Sequence, residues 1–296
     1  MIDLSGKVAI ITGAGAGLGR AHALLLAKHG ARIVVNDLGT NADSVAAEIV
    51  AAGGEAIAAR NSVTDFAAVS EMVKAVRHKW GRIDILVANA GILRDKTFAK
   101  MDLDDFRLVM DVHLMGTVNC TKLVWDIMRE QSFGRIVFTT SSSGLYGNFG
   151  QSNYSAAKMA LVGLMQTLGL EGARHNIRIN CLAPTAATAM MEGILPDDIL
   201  RKLRPELVSP GILALVRDDA PNRTILCAGG GSFETARITL TRGIYAGEGD
   251  DAVSQLIARW DEVVDPAGER VIDDGLAQSR HELGKAEAAH ANPEGA

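Results

Sequence analysis

Short unbroken apolar runs alternate along this chain with longer stretches in which apolar residues recur every three or four positions. The runs are Lys7 to Thr12, Arg32 to Asn36, Ile83 to Ala88, Arg135 to Thr140, Arg178 to Leu182 and Thr224 to Ala228, with a weaker one at Glu55 to Ala59. Apolar residues at both odd and even positions of so short a run predict strands covered on both faces, as in a parallel sheet. Between them, Arg20 to His29, Phe66 to Trp80, Leu103 to Glu130 and Asn153 to Arg174 carry the helical period. This alternation predicts an α/β fold: a doubly wound parallel sheet with helices on both faces, in a single domain.

Two stretches depart from the rhythm. From Thr185 to about Arg217 the chain carries Pro196, Pro205 and Pro210 and only short helical pieces, the pattern of an excursion over a site, so a substrate lid is expected over about 185–217. Past Tyr245 the composition shifts to G-E-G-D-D, a helix over Ala252 to Val264, and a charged, Ala-rich tail. The expected organisation is a catalytic domain over 1–245 and a helical extension over 246–296, with the last ten or so residues disordered.

Composition narrows the partners. The 296 residues are 48% hydrophobic, enough for a large core, and the formal net charge is −5 without a Lys/Arg-rich stretch. Nucleic acid and anionic membrane are therefore not expected partners. No apolar run reaches the roughly 18 residues of a membrane span, and Met1 stands almost directly before the first strand without a signal peptide, so a cytoplasmic location is expected. Cys120, Cys181 and Cys227 are scattered and lack C-x-x-C spacing, which points to reduced, buried thiols and no metal site. The sequons at Asn153 and Asn222 carry no weight in a chain that is not secreted.

The first strand runs straight into G-A-G-A-G-L-G and then a helix. Glycines let the backbone come close to a ligand, and the helix start behind them presents free N–H groups to a pyrophosphate. The spacing, Gly13-x-x-x-Gly17-x-Gly19, differs from the common G-x-G-x-x-G fingerprint. The second strand ends at Asp37, placed to bind adenosine ribose hydroxyls and to repel a 2′-phosphate. Neither the turn nor Leu38 supplies a cation for that phosphate, so NAD is expected over NADP. Gly13, Asp37, Asn89, Ser141 and Pro184 all fall at strand ends, where the ligands of such sheets bind.

Tyr154 and Lys158 lie four apart on one helix face, and Ser141 stands thirteen residues before the tyrosine at another strand end. A phenol has a pKa of about 10, and a nearby ammonium favours its phenolate, so the lysine is expected to lower the tyrosine's pKa. Such a tyrosine can exchange protons with an alcohol.

T-G-A-G-A-G-L-G (Thr12 to Gly19), A-N-A-G (Ala88 to Gly91), Ser141 and Y-S-A-A-K (Tyr154 to Lys158) together resemble the short-chain dehydrogenase/reductase family, which has a Rossmann fold. V-V-N-D-L-G, N-A-G-I-L-R-D, G-N-F-G-Q-S-N-Y-S-A-A-K and N-I-R-I-N-C-L-A-P bring the chain, over roughly residues 4 to 240, closer to one branch. That branch is the dehydrogenase part of the peroxisomal (3R)-hydroxyacyl-CoA dehydrogenases, which also oxidise 17β-hydroxysteroids, with their bacterial stand-alone relatives. No S-K-L type address ends the chain.

The resemblance implies that Tyr154 is the general base, that Lys158 tunes it and bonds the nicotinamide ribose, and that Ser141 hydrogen-bonds the reacting oxygen. It implies cofactor contacts from Thr12, Gly13, Gly17, Leu18 and Gly19 at the pyrophosphate, Asp37 and Leu38 at the adenosine ribose, and Ser62 and Val63 at the adenine edge. Asn89, Ala90 and Gly91 would floor the site, and Pro184 and Thr188 would lie toward the nicotinamide amide or the pyrophosphate. An acid is usual at Ser62, and a glycine at Thr185. The family's asparagine, which holds a water leading from the lysine, is here His113: either a relay or a plain core histidine.

Met190, Met191 and Ile194 either line an apolar substrate pocket or fill gaps. Asp95 and Lys96, on the loop after Gly91, read as a solvated charged loop outside catalysis. Three functions follow: an NAD-dependent dehydrogenase of a 3-hydroxyacyl-CoA, one carrying a steroid side chain included; a dehydrogenase of a steroid ring alcohol; or a non-catalytic dinucleotide sensor. Arg94, Lys96, Arg201, Lys202 and Arg204 are candidates to grip CoA phosphates, with acids among them. By resemblance, a homo-oligomer, dimer or tetramer, forms through Leu103 to Glu130 and Asn153 to Arg174.

Overall fold

The computed structural model describes residues 2–187 and 197–291. The chain divides into two units, Met1–Ala236 and Arg237–Ala296, a division nine residues before the one expected at 245.

In the first unit, β1 (Val8–Thr12), β2 (Arg32–Asp37), β3 (Ala56–Arg60), β4 (Ile85–Ala88), β5 (Gly134–Thr139), β6 (Ile177–Thr185), β7 (Ile225–Gly229) and β8 (Ser232–Ala236) form one sheet in the order β3-β2-β1-β4-β5-β6-β7-β8. All pairings are parallel except β7 with β8. That antiparallel edge was not anticipated. It arises because Gly230 and Gly231 both take positive φ, 58° and 82°, and so close a two-residue hairpin. The strand order reverses between β1 and β4, and this switch opens the crevice in which doubly wound sheets bind ligands.

The apolar runs divide their side chains between two cores, as the period of two requires. Ala9, Ile11, Ile33, Val35, Ile85 and Val87 face one layer, built on α1 (Gly17–Lys28) and α2 (Asn41–Ala51). Val8, Ile10, Val34, Leu86, Ile136 and Phe138 face the other, built on α3 (Phe66–Trp80), α5 (Gly116–Gln131) and α7 (Ser152–Gly172). α3 begins at Asp65, whose carboxylate accepts the Ala68 N–H at 3.0 Å, and stops at Gly81 in the left-handed conformation.

The long helix expected over Leu103 to Glu130 is α4 (Leu103–Met110) and α5 joined by a π-helical turn, Asp111–Met115. A short helix, α6 (Ser142–Tyr146), precedes α7. Part of the stretch 185–217, over which a lid is expected, packs into the core. After α8 (Asp197–Lys202), α9 (Ser209–Val216) is a core helix whose Ile212, Leu215 and Val216 are buried in the first layer. Pro210 was read as a breaker but sits in the first turn of α9, where a missing N–H costs nothing.

In the second unit, β9 (Thr239–Leu240) pairs antiparallel with β10 (Arg270–Val271). The helix expected over Ala252 to Val264 is two pieces, α10 (Ala252–Ala258) and α11 (Trp260–Val264). The Ala-rich charged stretch forms α12 (Gly275–Ala291), in keeping with the helix propensity of Ala, Glu and Lys, so helix covers part of the segment expected to be disordered. None of the unit's described residues is buried. Among the described residues of the whole chain, no helix is long and apolar enough to cross a membrane.

Candidate active site

The crevice is stitched together by Thr12 and Asn89. The Thr12 hydroxyl accepts the N–H groups of Asn89 and Ala90, both at 3.0 Å, while Asn89 Nδ2 donates to the carbonyls of Thr12 and Gly13 at 3.0 and 3.2 Å. Asn89 thus spends its amide on building the turn after β1. Gly13 lies at φ 63°, and a Cβ there would come within 2.8 Å of Ala90 Cα. A Cβ on Gly19 would run into the Gly13 carbonyl, so the turn and the helix start touch backbone to backbone. No side chain caps α1, and no acid lies in its first turn. Its leading N–H groups are left for an anion.

Asp37 closes the other end of this cradle. Its Oδ2 accepts the Gly15 N–H at 2.9 Å and its Oδ1 the Gly39 N–H at 3.3 Å, which fixes the carboxylate beside the turn. Gly15 was not singled out in the sequence, although it belongs to the same run; a Cβ there would press on Asp37 at 2.9 Å. Arg60, opposite Asp37 in register, is held by Asp43 at 3.0 Å. Leu38 is exposed, Val63 is buried with its carbonyl accepting from Asn119 at 3.0 Å, and the Ser62 hydroxyl bonds Thr64 at 2.8 Å. A glycine cradle at an uncapped helix start, with a fixed carboxylate beside it, fits a dinucleotide.

Ser141, Tyr154 and Lys158 come together at the ends of β5 and α7. Ser141 is extended, φ −162°, at the start of α6; its hydroxyl accepts the Ser143 N–H at 3.1 Å and acts on Tyr154 so as to favour its phenolate. Lys158 is buried, with its Nζ 5.6 Å from the centre of the Tyr154 ring and donating to the Thr139 carbonyl at 2.5 Å. The tyrosine's pKa is raised, against the expectation that the lysine lowers it. Burial disfavours the phenolate and outweighs the Ser141 hydrogen bond, and the Asp95 carboxylate adds to the rise. Lys158 is itself pushed down to about 7 by burial, so its positive charge is only partly present at neutral pH.

His113 sits on the π-helical turn, a feature that recurs at functional sites. Its Nε2 faces the Ile92 backbone, 2.8 Å from the carbonyl and 3.0 Å from the N–H, and its Nδ1 has no partner among the described residues. The ring packs edge-on to Tyr154, and burial, with Lys158 adding to it, drops its pKa to about 3. It is a neutral imidazole at any working pH. A Cβ on Gly91 would strike this ring.

Next to α6, a cavity of about 330 Å³ is lined by Ser142, Tyr146, Ala183, Thr185, Leu203, Cys227 and Glu234 among others. Arg201, Lys202 and Arg204 surround Leu203 and are exposed without an ion pair among the described residues, whereas Arg94 and Lys96 both turn to Asp105, at 3.5 and 3.8 Å. Pro184 lies in β6, paired with Ala228. Thr188, Met190, Met191 and Ile194 lie outside the described residues.

The short chain dehydrogenase family model matches residues 7–198. The chain is 51% identical over 224 residues to the peroxisomal multifunctional enzyme type 2 of Drosophila melanogaster, a match covering 72% of this chain and 37% of that protein. The solved full-length fly enzyme superposes with a TM-score of 0.83 at 38% identity, covering 99% of this chain and 51% of that one. A short-chain type dehydrogenase/reductase of Mycobacterium tuberculosis is 43% identical over 282 residues, 92% of this chain and 98% of the relative. A 7α-hydroxysteroid dehydrogenase solved with NADH and 7-oxo glycochenodeoxycholic acid gives a TM-score of 0.72 at 31% identity, over 78% of this chain and 95% of that one. Fold, site residues and relatives agree: the chain belongs to the short-chain dehydrogenase family, and it resembles the multifunctional enzyme type 2 group within it.

Proposed function

We propose that the protein is an NAD-dependent dehydrogenase that interconverts a secondary alcohol and a ketone, with a 3-hydroxyacyl-CoA as its substrate class. The observation that carries this reading is the grouping of the Tyr154 phenol with Ser141 and Lys158 at the mouth of a glycine-lined crevice. When bound, a nicotinamide dinucleotide would supply the hydride acceptor or donor. Thr12, Gly13, Gly17, Leu18, Gly19, Ala90 and Gly91 would hold it at the turn, Asp37 and Leu38 at the adenosine ribose, and Ser62 and Val63 at the adenine. Lys158 would reach the other ribose, and Pro184 would lie toward the amide.

In oxidation, Tyr154 takes the hydroxyl proton as the C–H electron pair leaves as hydride. In reduction, it returns that proton to the carbonyl oxygen. Ser141 holds the oxygen in place through both directions. The raised pKa keeps Tyr154 a phenol at neutral pH, ready to act as an acid. His113, neutral and edge-on to Tyr154, contributes an orientation and a buried nitrogen rather than a charge.

NAD over NADP is supported by the fixed Asp37 carboxylate and by Arg60, the nearest cation in register, being engaged by Asp43. A CoA ester is supported by the exposed Arg201, Lys202 and Arg204 around a residue of the cavity wall. The chain spans 37% of the fly relative's length, so what the rest of that protein does is not carried over. Dehydrogenation of a steroid ring alcohol is the second reading, favoured by the likeness to the 7α-hydroxysteroid dehydrogenase. Self-association through α5 and α7 is supported by exposed Met159 and Leu170 and by a groove of about 630 Å³ lined by Trp125, Arg129, Leu170 and Arg174.

The test is a substrate panel with NAD, comparing (3R)-hydroxyacyl-CoA esters, their (3S) partners and free hydroxysteroids by NADH absorbance. The highest kcat/KM is expected for a 3-hydroxyacyl-CoA. Turnover confined to hydroxysteroids selects the second reading, and no turnover of any secondary alcohol contradicts both.

A further inference from the structure

The loop after β4 reads in the sequence as solvated charge, yet its Asp95 is held. Asp95 Oδ2 accepts a hydrogen bond from Gln151 Nε2 at 2.6 Å. Gln151 stands immediately before α7, where a side chain could cap the helix, and does not cap it. Its Oε1 instead accepts from the Ser143 hydroxyl at 2.8 Å and from Asn148 Nδ2 at 3.0 Å. Ser143 in turn donates its backbone N–H to Ser141 Oγ. Three links therefore run from Asp95 to the Ser141 hydroxyl.

Two further bonds tie this loop to the start of α7. The Lys96 N–H donates to the Gly150 carbonyl at 2.9 Å, and Asn153 Nδ2 donates to the Arg94 carbonyl at 3.0 Å. Asn153 is fully buried and accepts the Tyr154 N–H at 2.7 Å through its own side chain. Arg94 and Lys96 do not neutralise Asp95, because both turn to Asp105 on α4.

We propose that Asp95, gripped by Gln151, is a positioning residue that clamps this loop, with its carboxylate, onto the start of α7 and the Ser141–Tyr154 pair. The proposal rests on Tyr154 being the proton-transfer group. Among the described residues, the groups that face or act on Tyr154 are Lys158 on its own helix, His113 on the π-helical turn, Ser141 at α6, and Asp95 on the loop. His113 is neutral and Lys158 only partly charged near pH 7. Burial is the main cause of the raised Tyr154 pKa, and a carboxylate, which disfavours a nearby phenolate, adds to it in the same direction.

Asp95→Asn removes the charge but keeps an oxygen for Gln151; Asp95→Ala removes both; Asp95→Glu keeps the charge. In Asp95→Asn, the pH profiles of kcat/KM for oxidation and for reduction both move to lower pH, so oxidation near pH 7 rises several-fold while KM holds. Asp95→Ala shows the same movement and a several-fold rise in KM as well, because the loop is released. Asp95→Glu restores the parent profile. High salt shrinks the difference between parent and Asp95→Asn, since the carboxylate is at the surface.

A second readout needs no substrate. The chain has three tyrosines, so phenolate absorbance titrated with and without Tyr154→Phe isolates the Tyr154 titration, which falls in Asp95→Asn. A phenolate titration identical in parent and Asp95→Asn overturns the proposal. A shifted titration in a protein that turns over nothing in the panel supports the role of Asp95 and overturns the substrate reading instead.

Discussion

The imidazole of His113 stands edge-on to the ring of Tyr154, with centroids 5.2 Å apart and planes at 88°. One face of the reactive phenol is thereby packed against a buried, neutral ring, and room for that ring exists only because residue 91 is glycine. The contact joins the π-helical turn between α4 and α5 to the first turn of α7, so the geometry of Tyr154 is set from two helices.

Burial of this imidazole makes stability depend on pH. His113 and His22 are both pushed down to about 3 by burial, against 6.5 for a free histidine. Between those values the unfolded chain binds protons that the folded one refuses. Their contribution is therefore intact above pH 6.5 and is lost as pH falls toward 3, by about 1.4 kcal/mol per pH unit for each histidine. Lys158, lowered from 10.5 to about 7, follows the same sign at higher pH: stability rises as pH climbs from 7 toward 10.5. Urea midpoints measured from pH 6 down to 4 are expected to fall less steeply in His113→Asn than in the parent. Equal slopes would contradict the buried, neutral assignment.

Asp37→Ala tests the cofactor preference. The carboxylate is held by the Gly15 and Gly39 N–H groups, and no free cation stands in its register. Removing it takes away charged hydrogen bonds to the ribose and the repulsion of a 2′-phosphate. The ratio of kcat/KM for NAD over NADP is expected to drop by roughly 10-fold or more, the scale of one charge-assisted hydrogen bond. A ratio equal to that of the parent would count against ribose binding by Asp37.

What could be read from the sequence was whatever is local or periodic. The sheet's parallel strands show as apolar runs because both of their faces are covered, and the glycine turn, Asp37 and the Tyr154/Lys158 pair carry fixed spacings. Long-range geometry was not legible. The tie between Asp95 and Gln151 joins residues 56 positions apart, and nothing in a charged loop announces such a partner. The effect of Lys158 on Tyr154 was misjudged because a spacing of four says that two side chains share a face, not that the ammonium turns to the Thr139 carbonyl or that burial strips part of its charge. α9 was taken for part of a lid because prolines were counted as breaks, although Pro210 opens a helix whose Ile212 and Leu215 fill the core. β8 was missed because its residues are mostly exposed at a sheet edge, which leaves no apolar run to detect.

The central claim is that Tyr154 carries the proton, and Tyr154→Phe tests it most directly, with steady-state turnover measured alongside NAD affinity. The proton vanishes with the hydroxyl, while the glycine turn and Asp37 are untouched. The expected result is a loss in kcat of about 10²- to 10⁴-fold, the usual worth of a positioned acid or base, with NAD binding retained. A variant that turns over at a rate close to the parent's would contradict the account.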